Sequence, residues 1–379
     1  MALLEYLRSV SAAVASVATS TARVHVVLGN EACDLDSAVC AIVTGYMLKD
    51  KTEQLVVPML NIPRVDYPLK TEVKFVLDQA NITDRMLTFL DDLALPELHR
   101  SNRLEVTLVD HNVVAENLRP IHDAVVRVID HHQLEASFTP TVEKTIVMVR
   151  SCATLVGEKL LANQPAIDQL DQCAVSLILS AILTDTANFK KQPTPKDVEV
   201  FDKLKTRVPH TADWKSEYAK IKHAKQSVSW MAVRDLLRKD LKMVTANTIR
   251  IAMSTVPTQM SGLLKMPNFH ADLEHFRKQK KADAVIVMTA CMKTGVGVPQ
   301  RGMLIYAESE HLRSSLLDYL TKFDKPSLDL REMSSLNAHL CAKHPSTHVM
   351  TLGNRAASRK VVLPAVRAFA ESYTNAAPE

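Results

Sequence analysis

The run Ala124-Val125-Val126-Arg127-Val128-Ile129 stops abruptly at Asp130-His131-His132, and that junction constrains the chain more than any other stretch. The run reads as a buried strand, so one carboxylate and two imidazoles arrive together at its carboxyl end. The pattern recurs: Asp34-Leu35-Asp36 follows Val24–Leu28, Asp110 follows Leu104–Val109, and Asp185 follows the apolar run Val175–Leu183. Further strands are expected at Leu55–Met59, Met86–Leu90 and Thr145–Val149. Helical patterns cover Ser37–Leu48, Thr71–Ala80, Cys152–Leu161, Ala166–Thr184 and Pro195–Leu204. Short strands alternating with helices predict an α/β fold, a mostly parallel sheet with helices on both faces. Such sheets bind their ligands at the carboxyl edge.

The 379 residues leave room for two domains. A polar stretch, Lys205–Trp214, carries Pro209 and predicts a linker. It separates a domain over 1–210 from a smaller α/β domain over 211–379. In the second, helices are expected near Glu217–Ala224, Ser229–Arg238, Ala271–Lys280, His311–Lys322 and Leu363–Ser372. Strands are expected at Ile249–Ser254, Ala284–Thr289 and Met303–Tyr306. Charge divides the same way. Residues 1–210 hold 21 Lys+Arg against 27 Asp+Glu, net −6, and residues 211–379 hold 25 against 15, net +10. An acidic half and a basic half suit a metal-binding domain and an anion-binding domain.

Six cysteines without a CxxC pair predict free thiols in a reducing compartment, the cytoplasm, with an organelle the alternative. No apolar run approaches the ~18 residues that a membrane helix requires. The apolar stretch Val10–Ala18 reads as a surface helix rather than a signal peptide. Neither a membrane nor a nucleic acid is expected as a partner.

Carboxylates crowded at one sheet edge repel one another unless cations hold them. Together the motifs read as a two-metal phosphohydrolase site. Asp34 and Asp36 can each address a different ion of a pair held ~3.5–4 Å apart. Singly, each acid has a plainer account: Asp34 or Ser37 as a helix N-cap, Asp110 with Asn112 as a turn, Asp185 bonded to its own loop. Asp91 and Asp92 also follow a strand-like run and are left out, because nothing pairs with them. In the second half, Gly353–Lys360 is a polar basic loop before an apolar helix. There Arg359 can fork two phosphate oxygens and Lys360 adds a point charge. Cations at a helix start oppose its dipole, which favours a functional cause.

In chain order, Gly29-Asn30-Glu31-Ala32-Cys33-Asp34-Leu35-Asp36-Ser37, Val109-Asp110-His111-Asn112, Asp130-His131-His132, Leu183-Thr184-Asp185-Thr186 and Ser358-Arg359-Lys360 resemble the DHH phosphoesterase superfamily. The branch is that of family II inorganic pyrophosphatases, exopolyphosphatases and prune-type proteins. The resemblance runs from about Val24 to about Val366, and Asp235–Asp240 looks like the opening of the branch's second domain. It implies a metal-dependent exopolyphosphatase that releases terminal phosphate from inorganic polyphosphate with a metal-activated water. Two divalent ions are implied, Mg²⁺ first, with Mn²⁺ or Co²⁺ as alternatives. Asp34 would bind the first ion, Asp36 and His131 the second, and Asp110 and Asp185 both. His132 would contact phosphate, Arg359 and Lys360 would clamp substrate from the second domain, and Lys225 would add a further contact. One departure matters: family pyrophosphatases carry Gly-His where this chain has Gly29-Asn30. An amide oxygen is a harder, weaker ligand than imidazole, which implies a preference for Mg²⁺ and for polyphosphate over pyrophosphate. The alternatives are a pyrophosphatase, a nucleotide phosphodiesterase, or a prune-like interaction module with residual hydrolysis.

Overall fold

In the computed structural model, residues 1–135, 137–163, 171–208, 213–247, 249–292, 299–334 and 344–373 are described. The first residues of the helix expected from Ala166, Pro209 of the expected linker, and Cys341 lie outside them. The chain forms two compact units, Met1–Ser227 and Val228–Glu379.

The first unit opens with helix α1 (Leu3–Val14), then runs β1 (Val24–Leu28), α2 (Leu35–Leu48), β2 (Leu55–Leu60), α3 (Thr71–Gln79), β3 (Thr88–Phe89), α4 (Leu95–Arg100), β4 (Leu104–Val109), β5 (Val125–Asp130) and β6 (Glu143–Ile146). Helices α5 (Cys152–Asn163), α6 (Gln172–Asp185), α7 (Pro195–Lys205) and α8 (Trp214–Gln226) follow. The strands lie in the order β3-β2-β1-β4-β5-β6, all paired in parallel. All five residues of β1 are buried, as a strand covered on both faces requires. The order reverses direction between β1 and β4, the switch point at which open sheets of this kind bind ligands.

Three local expectations are corrected. The N-terminal helix covers Leu3–Val14 and is not a surface helix over Val10–Ala18. It buries Leu3, Tyr6, Leu7 and Val10, and the Tyr6 hydroxyl donates to Val56 O at 2.9 Å. The strand expected over Met86–Leu90 shrinks to Thr88–Phe89 between two 3₁₀ turns, because Asp92 caps the Phe89 N–H at 2.8 Å and turns the chain. The strand expected over Thr145–Val149 runs Glu143–Ile146 instead, since the backbone leaves the sheet to bring the Val149 carbonyl to His131.

The second unit contains α9 (Val233–Lys239), β7 (Leu241–Ala246), β8 (Ile249–Val256), α10 (Met260–Leu264), α11 (Phe269–Gln279), β9 (Ala284–Met292), β10 (Pro299–Ala307), α12 (Glu310–Lys322), β11 (Leu330–Glu332), β12 (Thr347–Leu352) and α13 (Arg359–Ser372). Its sheet, β11-β12-β10-β9-β8-β7, is antiparallel except for the parallel pair β8–β9. The units divide after Ser227 rather than at residue 210. Helix α8 packs on α3 and α6 of the first unit, and its Ile221 is fully buried.

Candidate metal centre

The carboxyl ends of β1, β4 and β5 and the end of α6 bring the site residues together. Gly29 closes β1. A side chain there would meet Ser37 Oγ at 2.4 Å, so only glycine lets that hydroxyl reach the Asn30 N–H, at 2.7 Å. Asp34 caps α2 by accepting from Ser37 N at 3.2 Å, so its N-cap account holds as geometry. Asp110 follows β4 with φ 61°, a left-handed backbone that costs a non-glycine residue ~1–2 kcal/mol. Its N–H stays tied to Ile129 O at 3.0 Å, and its carboxylate meets His131 Nε2 at 3.2 Å and Asn30 Nδ2 at 2.7 Å. Strain kept at a position that aims a carboxylate into an acidic cluster indicates a functional constraint. Asp185 is the last residue of α6 rather than a strand-end acid, so it stands against the negative end of the helix dipole.

Ligand atoms of Asp110, Asp130, His131 and His132 lie within 4.8 Å of one another, as do those of Asp36, His131 and Asp185. His131 joins the two groups. Burial, then the charges of Asp36, Asp34, Asp185 and Asp130, push the Asp110 carboxyl well above the usual carboxylate range. Burial, then Asp36 and Asp34, push Asp185 up in the same way, while His131 and Lys225 pull it down. Asp130 goes the other way. Burial raises it, but the hydrogen bond and charge of His132, with Asn112 and the His132 N–H, outweigh burial and hold it below the usual range.

Two imidazoles take different settings. His131 is buried, and its Nδ1 lies 3.0 Å from Val149 O. A carbonyl only accepts, so Nδ1 carries the proton and Nε2 keeps a lone pair. That lone pair faces the Asp110 carboxylate, and two acceptors so placed require a proton or a cation between them. The donor set therefore fits a divalent cation: carboxylates, plus an imidazole whose tautomer a carbonyl fixes. His132 is half-exposed, with Nδ1 held by Asp130 Oδ1 at 2.8 Å.

The amide of Asn30 corrects the expectation of an amide ligand. Its Oδ1 accepts from Ala32 N at 2.9 Å and Cys33 N at 3.1 Å, and its Nδ2 donates to Asp110. Two backbone N–H groups require the oxygen on that side, so Asn30 orients Asp110 rather than offering an oxygen. Asp36 accepts from Ser151 Oγ (2.8 Å), Cys152 N (2.6 Å) and Ala153 N (2.7 Å), an anion seated on the start of α5. Lys225 belongs to the first unit and pairs with buried Glu72 at 3.1 Å. In the second unit, Arg359 Nη1 is held by Asp240 Oδ1 at 2.6 Å and Asp240 O at 2.8 Å, and Lys360 is exposed. Asn112, a turn residue by its sequence, holds the histidine pair in place. Its Nδ2 bonds Asp130 Oδ2 at 2.6 Å and Gln133 O at 2.9 Å, and its Oδ1 accepts from Glu135 N at 2.8 Å, which pins the His131-His132 turn.

Comparison with known proteins bears on this arrangement. The DHHA2 domain matches residues 219–369. "Exopolyphosphatase PRUNE1" of Homo sapiens is 32% identical over 354 residues, 92% of this chain and 76% of its own. The chain belongs to the prune-type branch of the DHH phosphoesterase superfamily. "Putative exopolyphosphatase" of Schizosaccharomyces pombe is 30% identical over 365 residues, 92% of each chain. The crystal structure of a Methanococcus jannaschii "putative family II inorganic pyrophosphatase" aligns with TM-score 0.61 and 19% identity over 92% of this chain and all of that one, a likeness of fold. In this prune-type chain no helix among the described residues is long and apolar enough to cross a membrane.

Proposed function

We propose that this prune-type protein is a metal-dependent exopolyphosphatase that releases orthophosphate from the end of inorganic polyphosphate. The observation that carries the proposal is His131, whose carbonyl-fixed tautomer turns a lone pair toward Asp110 inside a buried acidic cluster. Family membership and the names of two relatives support the substrate class. Asp36, Asp110, His131 and Asp185, with Asp34 beside them, would hold the two ions, Mg²⁺ first. Such ions, when bound, lower the pKa of water and neutralise charge on phosphoryl oxygens.

The chain's own groups do the rest. His132, oriented by Asp130, presents Nε2 to a phosphate oxygen. There the doubly protonated ring, which Asp130 favours, can donate a hydrogen bond, or the proton that the departing chain takes up when the terminal P–O bond breaks. Arg359 and Lys360 would take further phosphate oxygens, with Lys225 as an additional contact, as positioning and charge are most of what phosphoryl transfer demands. Phosphate release from pyrophosphate, tripolyphosphate, long polyphosphate and cyclic nucleotides, each with Mg²⁺, Mn²⁺ and Co²⁺, tests the proposal. Metal-dependent release from tripolyphosphate or longer chains is expected. No release from any substrate would leave an interaction module, and release from pyrophosphate alone would reassign the substrate.

A further inference from the structure

One short turn touches three of the candidate ligands. Val149 O accepts from His131 Nδ1 at 3.0 Å, and Arg150 Nε donates to Asp185 O at 3.2 Å. Ser151 Oγ, Cys152 N and Ala153 N donate to Asp36. Losing a residue that orients a metal ligand typically costs ~10–100-fold in metal affinity. What fixes the turn therefore matters.

The turn hangs on Asp197, a fully buried carboxylate on α7. Part of its bonding is local. Asp197 Oδ2 accepts from Thr194 N and Thr194 Oγ1, both at 2.7 Å, the capping box of its own helix. The rest reaches across to the turn. Arg150 N donates to Oδ1 at 3.2 Å and to Oδ2 at 3.0 Å, and Thr154 Oγ1 donates to Oδ1 at 2.6 Å. Thr154 is itself fully buried. These donors are neutral, and a buried carboxylate satisfied by neutral donors is a large commitment. Capping α7 accounts for the Thr194 half alone. The other half pins the turn at both ends.

We infer that Asp197 is a positioning residue for the metal centre: it locks the Val149–Ala153 turn and, through it, the settings of His131, Asp185 and Asp36. The inference rests on the metal reading above and adds a residue that touches neither ligand nor substrate. The consequence separates by side. Breaking the bond toward the turn should loosen the cation site, and breaking the bond toward the cap should only weaken α7.

The test is calorimetric titration of the full chain with Mn²⁺ alone, beside thermal unfolding followed by circular dichroism. Thr154→Val removes a turn-side donor with little change of shape. Thr194→Ala removes the cap-side hydroxyl. Asp197→Asn turns an amide nitrogen on donors. We expect Thr154→Val and Asp197→Asn to weaken Mn²⁺ binding about tenfold or more while folded, the scale for outer-shell partners. Thr194→Ala should unfold earlier yet keep wild-type Mn²⁺ affinity. Wild-type affinity in folded Thr154→Val overturns the inference, and that variant decides alone if Asp197→Asn does not fold. Equal weakening in Thr194→Ala and Thr154→Val overturns it too, as a general effect of stability. A wild-type chain that binds no Mn²⁺ removes the metal reading, and this inference with it.

Discussion

Replacing Asn30 by Asp changes one atom and should expose how tightly charge is balanced at the site. The side chain keeps its size, and one oxygen can still accept from Ala32 N and Cys33 N. The other atom, 2.7 Å from Asp110 Oδ2, changes from donor to acceptor. If the new carboxylate and Asp110 were both ionised, two charges about 4 Å apart at an effective dielectric near 20 would repel by ~4 kcal/mol. The lost charge-assisted bond adds ~1.5–3 kcal/mol. The cheaper route is protonation: a carboxyl of ordinary pKa ~3.9 takes up a proton at pH 7 for ~4 kcal/mol, and its O–H then donates to Asp110. The variant should therefore be ~4 kcal/mol less stable than wild type at pH 7 without metal. The sign follows from linkage. The new group's pKa is raised by folding, so its penalty is absent below the unfolded value near 3.9 and grows by ~1.4 kcal/mol per pH unit above it. Urea unfolding in EDTA at pH 5, 6 and 7 measures that slope, and Mn²⁺ should shrink the penalty. A difference from wild type that ignores both pH and Mn²⁺, or one within ~0.5 kcal/mol as at ordinary surface positions, would refute the Asn30–Asp110 contact.

Four further outcomes are expected. Asp110→Ala and Asp185→Ala should nearly abolish phosphate release and Mn²⁺ binding; Asp91→Ala, which only removes a cap on Arg64 N, should spare both, and the reverse result would misplace the site. His132→Gln should lower kcat by ~10²-fold or more while Mn²⁺ affinity holds, because its Nδ1 is taken by Asp130 and its proposed partner is phosphate; unchanged kcat removes its role. Lys360→Ala should raise KM by an amount equivalent to roughly 1.5–3 kcal/mol without loss of stability, whereas Arg359→Ala should also destabilise by breaking the Asp240 pair; unchanged kinetics in both would refute the phosphate clamp. Cys152, pushed by burial up to about 12, and Cys40, pushed up likewise, should resist iodoacetamide at pH 7.5 until the chain unfolds; alkylation of the native protein would contradict their burial.

How far the sequence can be read depends on how each element meets its neighbours. Strands β1 and β4 were legible to the residue, because a strand covered on both faces is a continuous apolar run with sharp ends. Strand β7 was not, since only Val244 of its six residues is buried and the Leu241–Ala246 pattern carries little contrast. Strand β12, Thr347–Leu352, buries four of its six residues, but His348 and two threonines break its apolar run and hide it from the pattern. Asp91 and Asp92 look like site acids by position, yet Arg64 N and Arg64 Nη2 account for them, a pairing 27 and 28 residues away that no local pattern announces. The acids and histidines that the structure gathers at the sheet edge stand in the sequence as an ordered set of motifs. Which face of the Asn30 amide points inward was not legible, because that depends on two backbone N–H groups in the following turn.

The acids of the site fall into two kinds, and the division explains how a chain holds such a cluster before any cation arrives. Asp36 and Asp130 are held by the fold itself. Asp36 sits on the first N–H groups of α5, and Asp130 gathers His131 N, His132 N, His132 Nδ1 and Asn112 Nδ2. Asp110 and Asp185 are opposed by their surroundings, first by burial and then by Asp36 and Asp34. Without a cation these two bear the cost of burial and of their acidic neighbours. A cation entering the cluster relieves that cost, and because protons compete for the same oxygens its affinity falls as pH falls. His131 sharpens the coupling, since Val149 O already claims its Nδ1 proton and leaves the lone pair on Nε2 pointed at Asp110. The fold thus holds Asp36 and Asp130 firmly by hydrogen bonds and sets Asp110 and Asp185 beside them as a reluctant pair. The reluctant pair makes cation binding favourable, because neutralising a disfavoured charge recovers what the fold gave up in burying it.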